Sequence, residues 1–129
     1  VSIYTAVKVM LQSMTTVADA DITYGQRNQT SATFPCITYL IDSIEDLSLG
    51  SNPLRKCTIT IKVYSLASAL EAVSISADVV TAVATGTFDS IVFQGVAQVI
   101  SILEEPTSGD GEESNPFTCT TTAQIYYQA

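Results

Sequence analysis

Apolar and polar positions alternate along residues 54–65. Cys57, Ile59, Ile61 and Val63 fall on one side, and Thr58, Thr60, Lys62 and Tyr64 on the other. That period predicts a half-buried strand with one apolar face. Beyond Ser65 the period changes. Leu70, Val73, Ala77, Val80 and Ala84 recur at three- and four-residue spacing, the stripe of an amphipathic helix. Ser68 and Glu71 stand three apart ahead of that stripe, as in a capping box. Gly86 falls where a left-handed C-terminal cap belongs. Strand and helix together, residues 54–86, are expected to cover each other's apolar sides.

The flanking chain extends the pattern. Ser2 can cap a helix running to about Val17, with Ile3, Ala6, Val7, Met10, Leu11, Met14 and Val17 on its apolar face. Residues 22–25 suggest a short strand, followed by a polar loop to Thr33. Phe34-Pro35 opens a strand over residues 36–43 whose apolar positions do not alternate, as expected of a strand covered on both faces. Residues 44–53 form a long connection containing Leu47 and Leu49, which have no evident core role. Ordinary hairpin loops are about 2–5 residues long, so this segment is expected to interact.

Residues 87–94 are ambiguous, with a strand start at Ile91 one reading, and Gly95 is expected to mark a bend or bulge. Residues 96–103 read as a strand that is apolar on both faces. Residues 104–116 are a loop rich in Gly, Pro and carboxylates. The last strand covers residues 117–128. One face carries Phe117, Cys119, Thr121, Ala123, Ile125 and Tyr127, and the other Thr118, Thr120, Thr122, Gln124 and Tyr126. Runs of strands with two interspersed helices indicate one α+β domain over residues 1–129. The expected architecture is an antiparallel sheet of about four to five strands, both helices on one face and the Thr-rich faces on the open side.

Charge and composition narrow the function. The net charge is −8, and the five basic residues Lys8, Arg27, Arg55, Lys56 and Lys62 are scattered apart from one adjacent pair. Tight binding to nucleic acid or to an anionic membrane needs clustered cations. There is no histidine, so Cys–His and Ser–His–Asp chemistry is excluded. A Ser–Lys pair stays conceivable, but nothing fixes a spacing for it. The acidic loop holds Asp110, Glu112 and Glu113, oxygen ligands without EF-hand spacing, and reads as a solvated loop. No glycine cluster enters a helix to cradle phosphate. No enzyme, cofactor or metal is therefore expected. Cys36, Cys57 and Cys119 are widely spaced and odd in number, which suits buried thiols in a reducing compartment. No signal peptide is visible. The residues alone describe an interaction or assembly module.

Four segments carry a resemblance: the opening helix SIYTAVKVMLQ, the strand FPCITY, LRKCTITIKVYS running into ASALEAVSISADVVTAV, and the closing strand AQIYYQA. Their layout resembles the tail-completion (tail terminator, or head–tail joining) proteins of long-tailed bacteriophages over nearly the whole chain. Two features depart from that pattern, the unusually apolar TFDSIVFQG and the long acidic loop. The resemblance implies a virion protein of the tail and neck, made in the host cytoplasm. It would form a ring of itself, commonly six copies, at the head-proximal end of the tail. Such a ring ends tube growth, contacts the tail-tube protein and the head–tail connector, and passes DNA through its lumen without specific binding.

Two expectations about residues accompany this implication. Leu47, Leu49 and Leu54, with Arg55, Thr58, Thr60 and Lys62, are expected to contact the neighbouring subunit or the tube. Glu45 and Asp46, with Asp110, Glu112 and Glu113, are expected to face the lumen, where carboxylates let DNA slide. The rival readings are a connector adaptor or stopper, a tail-tube subunit, and, from another class, a small cytosolic α+β module that binds a ligand or a protein.

Overall fold

The computed structural model describes residues 2–15, 17, 21–25, 35–47, 53–103 and 117–128. The chain forms α1 (Ile3–Met14), β1 (Ile22–Tyr24), β2 (Cys36–Asp46), β3 (Leu54–Ser65), α2 (Ala69–Ala84), β4 (Thr85–Phe88), β5 (Ile91–Leu103) and β6 (Phe117–Gln128). The strands make one six-stranded sheet in the order β1-β2-β3-β6-β5-β4. The α+β class holds, with two corrections. The sheet has six strands, because β4 joins its edge, and it is mixed, because β1 runs parallel to β2.

β3 and β6 form the centre, paired antiparallel from Leu54↔Gln128 to Ser65↔Phe117 without a break. Their predicted apolar faces are the core. Cys57, Ile59, Ile61, Val63, Cys119, Thr121, Ala123 and Ile125 are fully buried. Side chains of both helices join them in one apolar cluster, so both helices lie on one face of the sheet. The strand on residues 54–65 and the helix after it do cover each other.

α1 follows the sequence closely. Ser2 caps it, its hydroxyl accepting from the Tyr4 N–H at 3.1 Å, and Ile3, Ala6, Val7, Met10 and Leu11 are buried. It ends at Met14 rather than near Val17, because Thr15 turns extended (φ −119°). The Thr15 hydroxyl donates to the Leu11 carbonyl at 2.6 Å, giving that end group a partner.

α2 presents a different face from the one expected. Ala72, Ile75, Ser76, Val79, Ala82 and Val83 are buried, whereas Leu70 is 77% exposed and Ala77 and Ala84 face outward. The helix is apolar on two sides, and the side with small residues won. Ala72, Ser76 and Ala82 let the helix settle close to the sheet. Beneath it lies Gly95, where an added Cβ would sit 2.7 Å from Val83 Cγ1 and 2.6 Å from the Gln124 carbonyl oxygen. Gly95 is thus a point of close approach. The register irregularity of β5 lies instead between Val99 and Ser101.

The capping motif at α2 is real but rearranged. The Ser68 hydroxyl accepts from the Glu71 N–H at 3.1 Å. The Glu71 carboxylate, however, accepts from the Ser65 hydroxyl at 2.7 Å, and Ser65 Oγ in turn accepts from the Ala67 and Ser68 N–H groups. Gly86 caps nothing. It lies in β4, and the chain passes from helix to strand without a glycine turn. β4 and β5 are joined by Asp89 and Ser90 at φ 49° and 68°, the left-handed pair of a two-residue hairpin turn of the primed kind.

Candidate assembly surface

The side chains that alternate away from the core form a broad open face. β3 contributes Thr58, Thr60 and Lys62, and β6 contributes Thr118, Thr120, Thr122, Gln124 and Tyr126. These sets lie opposite one another in register, as in Thr60↔Thr122 and Lys62↔Thr120. β5 adds Val92, Gln94, Val96 and Gln98, and β2 adds Thr38, Leu40 and Glu45. Among the described residues, neither helix covers this face. Most of it is half-buried or exposed, with Thr38 and Thr120, the two residues flanking Lys62 in register, the buried exceptions. Leu40, Val92 and Val96 are large apolar side chains left exposed on it, Val96 at 71%.

Polar contacts at the β2 end of this face stay within the subunit. A bulge between Ile41 and Ser43 lets the Asp42 carboxylate accept from the Thr60 hydroxyl at 2.6 Å. Lys56 Nζ lies 3.7 Å from Glu45 Oε2, a solvated pair worth about 0–1 kcal/mol.

At the end of the sheet where β3 starts, the helix side holds a cavity of about 460 Å³. Tyr4, Ile44, Arg55, Ile91 and Tyr127 contribute to its lining. A recess of about 360 Å³ lined by Leu54, Val92 and Tyr126 shares Ile91 and Tyr127 with it. Burial pushes the Tyr127 phenol above its ordinary value, and the nearby Cys57 adds to the rise. The hydrogen bond and charge of Arg55 oppose it. A tyrosine cluster borders this region, with Tyr4–Tyr24 ring centres 6.0 Å apart and Tyr24–Tyr39 ring centres 5.2 Å apart.

The residues expected to form one interface divide among three places. Leu54, Thr58, Thr60 and Lys62 share the open face. Arg55, one residue out of phase, belongs to the helix side. Leu47 stands at the β2–β3 hairpin, its N–H donating to the Leu54 carbonyl at 2.8 Å. Leu49 lies outside the described residues, as do Asp110, Glu112 and Glu113. The connection expected over residues 44–53 is shorter, because Ile44, Glu45 and Asp46 continue β2 and pair with Cys57, Lys56 and Arg55. Glu45 is therefore a strand residue on the open face, and Asp46 stands opposite Arg55.

The sequence reading missed the contribution of β5 to this surface. Its signal was present as an uncharged run from Ser90 to Leu103. Among the described residues there is no cluster of metal-ligating side chains, and no helix is long and apolar enough to cross a membrane. Cys36, Cys57 and Cys119 are buried and form no disulfide with one another. No known family model matches the chain, and no curated protein shows significant similarity to it.

Proposed function

We propose that this chain is a structural subunit of a long-tailed bacteriophage virion, of the tail-completion type. Copies assemble into a ring at the head-proximal end of the tail, end tube growth and join tail to head. The observation that carries the reading is the open face. A sheet whose two described helices lie on one side, with Leu40, Val92 and Val96 exposed on the other, has a surface fit for another protein. Lys62, Thr58 and Thr60 on that face, with Leu47 and Leu54 near the hairpin, contact the next subunit or the tube. Each copy carries a net charge of −8, so a ring of them repels DNA and lets it slide, with no counterion release to hold it. Glu45, on the open face of β2, is the carboxylate of that strand that faces the lumen.

Negative-stain imaging of the purified protein tests the reading. Rings with a central hole and one fixed copy number are expected. Long stacked tubes would point to a tail-tube subunit instead. A monomer of 13.7 kDa at every concentration would remove the ring altogether. In that case the cavity beside Arg55 and Tyr127 favours the second reading, a small module binding a ligand at the end of the sheet.

A further inference from the structure

We propose that two copies join edge to edge, the outer edge of β5 in one copy pairing antiparallel with the free edge of β2 in the next. The inference rests on the ring reading and specifies how the ring is closed. β4 pairs with β5 only from Ile91 to Gln94. Residues 95–103 therefore have β6 on one side and, among the described residues, no strand on the other. β1 pairs with β2 only from Ile37 to Tyr39, and Tyr24 Oη accepts from the Ile41 N–H at 3.3 Å. Among the described residues, 42–45 then have β3 alone as a strand neighbour.

Unpaired edges attract other chains unless they are guarded by charge, proline or shortness. The guards here are unequal. The free part of β2 bears Asp42 and Glu45, and β1 and β4 are only three and four residues long. β5 has no charge and no proline along its whole length. Carboxylates oppose the pairing of β2 with itself, but they meet no like charge along β5. β5 is the edge that needs a partner, and β2 of another copy is one it accepts.

Strand direction and position agree with this pairing. β5 is antiparallel to β6, β6 to β3, and β3 to β2, so β5 and β2 run in opposite directions. A second copy in the same orientation thus extends the alternation without a reversal. Through Cys57↔Ile125 and Ile59↔Ala123, Ile44 and Ile41 lie level along the sheet with Gly95 and Ala97, so the free part of β2 and the first residues of the free part of β5 stand at the same height. A head-to-tail contact of this kind gives a ring when its rotation closes. Phe88↔Ile91 closes the two-residue turn, so alternation points the N–H groups of Gly95 and Ala97 outward to the joint.

The test compares wild type with Ala97→Pro, which removes one outward donor and leaves the β6 ladder intact. Val96→Glu and Val96→Lys are the second pair of variants, both at an exposed site. Native mass spectrometry reads the assembly, and amide hydrogen exchange reads Gly95 and Ala97. Wild-type rings with slow exchange at both amides are expected. Ala97→Pro and Val96→Glu should each raise the concentration needed for rings about tenfold. Val96→Lys, facing the partner's Asp42 and Glu45, should leave it unchanged or lower it. Rings that persist in Ala97→Pro and Val96→Glu, with fast exchange at Gly95, would overturn the edge joint while leaving the ring reading intact. Two-fold dimers weakened by both Val96 variants would mean that β5 pairs with itself, and would overturn the proposal. A wild-type monomer would overturn both.

Discussion

The two faces of the β3–β6 pair share one backbone register and differ in everything else. On one side Ile59, Ile61, Val63, Ala123 and Ile125 are fully buried. On the other, Thr58, Thr60, Thr122 and Gln124 stay half-buried or exposed. The inner face is finished within the chain, since α1 and α2 supply its cover. The outer face has no helix over it among the described residues. Folding is thus assigned to one side of these strands, and the proposed assembly to the other. A change on one side should affect stability, and a change on the other the contacts between copies.

The largest expected effect is on the inner face. Ile61→Ala should cost about 2–5 kcal/mol of unfolding free energy, measured by urea denaturation. Ile61 sits between Tyr39 and Thr121 in register, where a strand cannot easily collapse into the cavity. A loss near zero would mean that this face is not the core.

Alkaline titration probes the same side. The Cys57 thiol is fully buried and is pushed up to about 11 by burial and then by the charge of Asp42. An unfolded thiol ionises near 9.0. Between these values the unfolded chain has lost a proton that the folded chain keeps, so stability falls as pH rises through the window. The loss is roughly 2–3 kcal/mol. Cys57→Ala should remove the part of the slope that begins near pH 9, as read by denaturation at stepped pH. Equal slopes in both proteins would refute the assignment.

Gly95→Ala comes next. Its Cβ would meet the Gln124 carbonyl oxygen at 2.6 Å, and backbone cannot yield as a side-chain tip does. A loss of about 1–3 kcal/mol is expected, seen as a lower melting temperature. The smallest effect belongs to the open face. Thr60→Val removes the hydroxyl that donates to Asp42 and should cost about 1 kcal/mol or less in the monomer. A loss comparable to that of Ile61→Ala would erase the distinction between the faces.

Much of this comparison was legible in the sequence. The alternation of residues 54–65 and 117–128 gave both faces correctly, because a period of two admits only one partition. α2 was misread because its sequence is apolar on two sides, and only the sheet beneath it selects Ala72, Ser76 and Ala82 over Leu70 and Ala77. β4 was hidden because Asp89-Ser90 is not the Asn-Gly or Asp-Gly pair that marks such turns. Its four residues also follow the helix without a break. The free edges could not be read at all, since they depend on how far β1 and β4 reach along their neighbours. The same dependence on register scattered the expected interface, placing Arg55 on the side opposite Thr58 and Thr60.

The central claim, that the face without helices exists for other copies of the chain, is tested most directly by mass in solution. Light scattering on the wild-type protein across concentrations should give one fixed multiple of 13.7 kDa. A mass of 13.7 kDa at every concentration would contradict it.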